Sequence, residues 1–356
     1  MKTIYIAFLI AMTIAYLVTP FVIKLASKVG AIDVPKDNRR VHTVPTPRLG
    51  GIAIFIGFMV AVLVTFKMDT RLVSVLVGGV VIVTMGYFDD IKPLSAKVKL
   101  LVQILAAGIV IYGGVKINMV TNPLSYIFAG ADPYIRLGMW SYPLTLVWIV
   151  GVTNAINLID GLDGLAAGVS IIAALTLTVV AIFLDQSYIA LLAATLAGAT
   201  IGFLPYNFNP AKIFMGDSGS LFLGYMLSVL SVMGVVKSAA ALSILVPIFA
   251  IGLPIFDTFM AIIRRSLSGK SFMEADKGHL HHKLLDIGLS HKQAVLTLYS
   301  VSAVLGFSAV ALVEANLKVA IVLVLAVFFS ASLGVKYLGL IKTKTKTKIS
   351  NNHIDL

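Results

Sequence analysis

The chain has 356 residues, 59% of them apolar and only 12% charged, with a net charge of +12 and no cysteine. A soluble domain carries roughly 25% charged and 45–50% apolar residues, so a water-soluble globule and a disordered chain are both excluded. The absence of thiols excludes a disulfide scaffold and cysteine-ligated zinc or iron–sulfur centres.

In chain order, apolar stretches long enough to cross a bilayer lie at 3–23, 49–66, 72–88, 98–115, 141–159, 165–184, 188–206, 219–236, 239–263, 293–313 and 317–335. The first follows a single Lys2 and exceeds the 7–15 apolar residues of a signal-peptide core, so it reads as a retained helix. With the N-terminus outside, 21 of the 28 Lys and Arg residues fall on the cytoplasmic side. That bias predicts an all-α polytopic integral membrane protein of about 11 helices with a cytoplasmic C-terminus. One domain then covers 1–341, with cytoplasmic loops at 24–48, 89–99, 205–218 and 264–292, and a basic cytoplasmic tail at 342–356. The outer segment near 116–140 contains Asn122, Pro123, Gly130 and Pro133 and reads as a turn-rich or hairpin cap. The bases are spread over short loops on one face without an aromatic-interleaved stripe. They indicate anionic lipid rather than nucleic acid.

The acids are fewer and more telling. Carboxylates near a membrane core are costly and usually functional, and five sit at helix ends on the inner side. Asp89 and Asp90 close the third span, where two adjacent acids oppose the helix dipole; they mark either a solvated boundary or a site. Asn154, Asn157, Asp160 and Asp163 recur every three residues. On a continuous helix they would share a face, unless Gly161 and Gly164 break the turn first. Gly216-Asp217-Ser218-Gly219-Ser220 opens the eighth span, where free backbone N–H groups suit an anion. Asp217 would repel a phosphate unless a cation bridged them. Hard oxygen donors beside an anion-binding backbone suit Mg²⁺.

Two cationic segments complete the pattern. Asp33 to Gly51, with Arg39, Arg40, Pro45, Pro47 and Arg48, reads as an ordinary positive-inside loop or a phosphate-binding lid. The 264–292 loop carries Arg264, Arg265, His279, His281, His282 and His291. Phosphate or sugar binding, a solvated basic loop and zinc are all open there, although zinc lacks a His-Glu-x-x-His spacing. Asp257 is the one acid inside a span and the one feature in keeping with a secondary transporter; following Pro254, it also fits a cap on a kinked half-helix.

Pro47-Arg-Leu-Gly-Gly, Asp89-Asp90, Asn154-x-x-Asn157-x-x-Asp160-Gly-Leu-Asp163-Gly, the run Asn207 to Ser220, and His279-x-His281-His282 together resemble the polyprenyl-phosphate N-acetylhexosamine-1-phosphate transferases. The resemblance covers about 1–336. It implies ten or eleven transmembrane helices in the bacterial plasma membrane, an active site on the cytoplasmic face, and often a homodimer. The implied reaction is Mg²⁺-dependent, with Mn²⁺ as a substitute ion. Sugar-1-phosphate passes from a UDP-sugar to undecaprenyl phosphate, and UMP is released. By position, Asp217 resembles the metal ligand, while Asp89 and Asp90 match the lipid-phosphate site, with Asp89 a proton acceptor. Asn157, Asp160 and Asp163 match nucleotide and catalytic residues, joined by Asn154. Asn207 and Phe214 match the uracil site, and Arg48, Gly216, Ser218, Arg264, Arg265, His279, His281 and His282 the surrounding substrate and catalytic groups. The His-x-His-His form resembles the branch that uses UDP-N-acetylglucosamine, as in teichoic acid or O-antigen initiation; the phospho-MurNAc-pentapeptide branch is the alternative. One departure is the Asp-Asp-x-Lys-Pro motif, which lacks the further acid some members place after the pair.

Overall fold

The structure, a computed structural model, describes residues 2–34, 45–122, 125, 128, 130–235, 245–267 and 278–338. Lys36, Arg39, Arg40 and His42 of the first basic loop, the outer part of the ninth predicted span, Lys270 to Lys277 and the tail 342–356 lie outside these residues. The described chain is an all-α polytopic membrane fold. Its helices are α1 (Lys2–Val29), α2 (Gly51–Thr65), α3 (Thr70–Ile91), α4 (Ala96–Tyr112), α5 (Ser141–Leu158), α6 (Leu165–Phe183), α7 (Ser187–Asn207), α8 (Gly216–Val235), α9 (Leu245–Ala250), α10 (Gly252–Leu267), α11 (Leu280–Asp286), α12 (His291–Glu314) and α13 (Leu317–Tyr337). Among the described residues, seven helical segments are long and apolar enough to cross a membrane.

Each predicted apolar stretch falls on a helix, the ninth on a broken one: α9 and α10 meet at Ile251, flanked by Pro247 and Pro254. Helix starts follow local chemistry. Asp69 accepts the Leu72 N–H (2.7 Å) to cap α3. Ser290 and Gln293 form a capping box on α12, and Asn316 caps α13.

Packing relies on close backbone approach, as lipid tails supply no hydrophobic drive between helices. α1 lies against α2 where Ala11 and Ala15 meet Gly57, and against α7 where the backbones of Phe8 and Met12 meet Gly198 and Gly202. α8 is the buried centre, packed on α2, α3, α5 and α6. Its Tyr225 is fully buried and donates its hydroxyl to the Val75 carbonyl (2.9 Å). α13 is the opposite case: Ala320 is its one buried residue, and Phe328, Phe329 and Leu333 are exposed. Apolar surface of that extent belongs in lipid.

The predicted hairpin is present: β3 (Met119–Thr121) pairs antiparallel with β4 (Tyr134–Arg136). The loops at the opposite end from this hairpin hold two elements that carry too few residues to signal themselves. β1 (Ile32–Asp33) pairs antiparallel with β2 (Thr46–Pro47), which brings Arg48 up beside Phe214. α11 is a seven-residue helix within the histidine loop.

Candidate active site

One cavity of about 400 Å³ opens at the end of the bundle where α3 and α5 finish and α8 begins. Its lining includes Asp33, Arg48, Asp90, Asn157, Asp160, Gly161, Asp163, Asn207, Phe214, Gly216, Asp217, His281, His282 and His291. Residues more than 250 positions apart therefore form one site.

The start of α8 organises it. Asp217 N–H donates to Asp90 Oδ1 (2.9 Å) and Ser218 N–H donates to Asp90 Oδ2 (3.1 Å). The anion held by the Gly216–Ser220 backbone is thus the side chain of Asp90, which is 2% exposed. This corrects the expectation that those N–H groups await a substrate phosphate. Ser218, expected to bind substrate, is fully buried with its amide committed to Asp90. Gly216 sits at φ +69°, and a Cβ there would fall 2.5 Å from Asp90 Oδ2. Only glycine allows both the left-handed backbone and the approaching carboxylate.

Asp217 itself points to the cavity. Its Oδ2 accepts from Lys99 Nζ (2.9 Å) and its Oδ1 from Asn157 Nδ2 (3.1 Å), while Asn157 also donates to Ser220 Oγ (2.8 Å). Lys99 reaches Asp89 Oδ2 as well (3.4 Å), and Asp89 Oδ1 accepts the Leu94 N–H (2.7 Å). Asp89 is therefore tied to the site through Lys99 and is not on the cavity wall. Sequence reading passed over Lys99 and Asn209 as site residues. The signal for Lys99 is a lysine in the first turn of a largely apolar helix that Ser95 caps.

α5 ends at Leu158, so the three-residue spacing acts as a helix face only for Asn154 and Asn157. Asp160 to Gly164 form a turn, with Gly164 in the left-handed region at φ +78°. Asp163 leaves the helical register and accepts from Asn209 Nδ2 (3.0 Å) and Ala211 N (3.1 Å), anchoring the loop ahead of α8. Asn154, expected to touch substrate, lies a turn deeper and exchanges amide hydrogen bonds with Gln103 on α4 (2.6 and 3.4 Å). Burial, then the charges of Asp217, Asp90 and Asp163, pushes the Asp160 carboxyl up to about 8.

The opposite wall is built by Pro47-Arg48 and the histidines. Phe214 N–H donates to the Pro47 carbonyl (2.8 Å) and Gly50 N–H to the Phe214 carbonyl (3.0 Å). Arg48 Nε donates to the Asp90 carbonyl (2.9 Å). Asn207 donates Nδ2 to the Ile213 carbonyl (3.0 Å), and its buried Oδ1 has no partner among the described residues. His281 lies over Gly161, where a Cβ would come within 2.4 Å of its Nε2. Burial and the neighbouring His282 lower His281 to about 4, so at pH 7 it offers a neutral ring. His291 also lines the cavity, its Nε2 buried without a partner among the described residues. His279 does not line it; it is buried against Asp257. Arg264 and Arg265 lie in the last turn of α10, away from the wall.

This fold with this site defines a class: membrane-embedded helix bundles with a carboxylate- and imidazole-lined cavity at one end. The chain belongs to glycosyl transferase family 4, whose profile matches residues 72–235. It is 42% identical over 347 residues to a probable undecaprenyl-phosphate N-acetylglucosaminyl 1-phosphate transferase of Bacillus subtilis, a match spanning 97% of this chain and 95% of that one. A decaprenyl-phosphate N-acetylglucosaminephosphotransferase of Mycobacterium tuberculosis is 38% identical across 85% of this chain and 80% of its own. A phospho-N-acetylmuramoyl-pentapeptide-transferase of Bacillus thuringiensis is 32% identical across 85% and 94%.

Proposed function

We propose that this protein transfers N-acetylglucosamine-1-phosphate from UDP-N-acetylglucosamine to undecaprenyl phosphate, releasing UMP, at the cytoplasmic face of a bacterial plasma membrane. The observation that carries the reading is one cavity joining Asp217, Asn157 and Asp160 to Asn207 and Phe214. Identity favours the N-acetylglucosamine transferases, at 42% and 38%, over the muramoyl-pentapeptide transferase, at 32%. The topology belongs to the same proposal: eleven crossings with α9 and α10 together forming the ninth, the N-terminus outside, and one catalytic domain over 1–341. So does a homodimer.

In the reaction, an oxygen of the lipid phosphate attacks the sugar-linked phosphorus, and the bond from that phosphorus to the oxygen of UMP breaks. The nucleophile is already anionic above its second pKa of about 6, so bringing two anions together is the main barrier. Asn207 Oδ1 would accept from the uracil imide N–H while the Phe214 ring stacks on the base. Arg48 and the His281–His282 pair face the phosphates and sugar with N–H donors. In the alternative that starts from a protonated lipid phosphate, Asp89, held by Lys99 beside the cavity rather than on its wall, would accept the proton.

Asp160 and Asp217, two carboxylates on the cavity wall, fit Mg²⁺, which takes one or two carboxylates and completes its shell with water and phosphate oxygens. Asp217 would hold the ion, with Asp160 beside it; when bound, it draws charge from the phosphate oxygens. A carboxyl raised above its unfolded value lends stability below about pH 4 and loses it as pH rises through about 8. Asp217 and Asp160 would hold Mg²⁺ in competition with the proton on Asp160. The ion's affinity is therefore expected to rise about tenfold per pH unit up to pH 8 and then level off. Thermal unfolding with Mg²⁺ titrated at pH 6, 7 and 8 measures this, and a pH-independent affinity would remove Asp160 from the ion's surroundings.

Phe214→Ala is expected to raise KM for the UDP-sugar by about tenfold or more, as base stacking contributes about 1–3 kcal/mol. Its KM for the lipid should not change. The reading as a whole is tested by incubating detergent-solubilised protein with undecaprenyl phosphate, Mg²⁺ and a panel of UDP-N-acetylhexosamines, UDP-MurNAc-pentapeptide included. UMP release with UDP-N-acetylglucosamine is the expected result, and none with any of the panel would overturn the proposal.

A further inference from the structure

One buried acid has no part in the mechanism above. Asp257 lies in the middle of α10 and is 2% exposed. Both of its oxygens are engaged by the histidine segment: His279 Nδ1–H donates to Oδ2 (2.9 Å) and Leu280 N–H donates to Oδ1 (3.0 Å). His279 is the N-cap residue of α11 and makes no capping bond with its own side chain. Asp257, on a different helix, supplies the cap in its place.

α11 has seven residues, too few to be stable or to hold a direction by itself. Its orientation must come from what grips it. The His279 ring lies parallel to that of His281, at 5.8 Å and 6°, and His281 meets His282 at 4.2 Å and 44°. The second and third of these rings line the cavity. A buried carboxylate is costly, and an apolar residue of similar size would serve bundle packing at least as well. The acid is explained by its two bonds to the segment that carries the cavity histidines. The same bonds account for an ionisable group inside a span, the feature that suggested a transporter.

We infer that Asp257 is a positioning residue for the sugar-nucleotide pocket: through His279 and the first turn of α11, it sets the plane of His281 and the reach of His282. This rests on the reading of the cavity as a UDP-sugar site.

The test uses the full-length protein in detergent and separate KM values for UDP-N-acetylglucosamine and undecaprenyl phosphate. Asp257→Asn keeps an oxygen for the Leu280 N–H but presents an amide N–H to His279, so the cap survives and the imidazole tautomer must reverse. It should raise KM for the UDP-sugar about tenfold, as expected for a small displacement of groups around a substrate. KM for the lipid should stay within about twofold. Asp257→Ala, which removes both bonds, should lower kcat/KM for the UDP-sugar about a hundredfold. If that variant fails to fold, Asp257→Asn and His279→Gln decide, because the pair acts through one contact and the double variant should be no worse than the worse single. Equal rises in both KM values, effects that multiply in the double variant, or wild-type kinetics in Asp257→Asn and His279→Gln would each overturn the inference. Those results require an active wild type; a wild type that releases no UMP overturns the functional reading and the inference with it.

Discussion

Asp217→Asn is expected to lower Mg²⁺-dependent UMP release by at least about a thousandfold, in a protein that still folds. Folding survives because the bond that starts α8 uses the Asp217 backbone N–H, not its side chain. The asparagine keeps a carbonyl oxygen for Lys99 or Asn157, the two groups that hold the carboxylate now at 2.9 and 3.1 Å. What it loses is the charge. Lys99 would then face Asp89 alone, and the cavity would lack one of its anionic oxygen pairs for a cation. Turnover measured across a Mg²⁺ titration, with the thermal unfolding midpoint recorded in parallel, separates the two effects. Full activity with Asp217→Asn would refute the metal assignment, and a collapsed midpoint would refute the claim that the side chain is not structural.

The spans were legible because a run of about twenty apolar residues has few other uses. The cavity was legible in part, because acids at three helix ends on one side have few structural reasons to be there. What the sequence could not convey was which anion meets which backbone. Gly216-Asp217-Ser218 does read as an anion-binding helix start, and it is one, but its anion is a side chain 127 residues earlier in the chain. Asn154 to Asp163 likewise shows a three-residue period that ends in space where α5 ends, and Gly164 in the left-handed region redirects the rest. His279 looked equivalent to His281 and His282 from spacing alone. Its assignment depends on Asp257, 22 residues away and on another helix. Lys99 was hidden for the opposite reason, since it was counted among the basic residues that set topology.

The adjacent acids at the end of α3 provide the sharpest contrast between neighbours. Next to the C-terminus of α3 both are unfavourable, yet Asp90 lies at the N-terminus of α8, where the dipole and two N–H donors favour a carboxylate. Asp90→Ala should therefore destabilise the protein by about 2–4 kcal/mol, because two amide donors lose their acceptor where Asp90 is 2% exposed and Ser218 fully buried. Asp90→Asn keeps one acceptor and should lose about half as much. Both variants should also lower kcat/KM by up to about a hundredfold, since the amide released is that of Asp217, and displacement of a positioned group carries that cost. Asp89→Asn is the control. Asp89 accepts from Leu94 and Lys99 and leaves the start of α8 intact. Its stability should stay within about 1 kcal/mol of wild type even if its turnover falls, because Asn keeps an acceptor for Leu94 and Lys99 keeps Asp217. Thermal unfolding and kinetics of the three variants in one detergent give the comparison. Equal loss of stability in Asp89→Asn and Asp90→Ala would mean that Asp90 is not the cap, and that the backbone at Asp217 is held by something else.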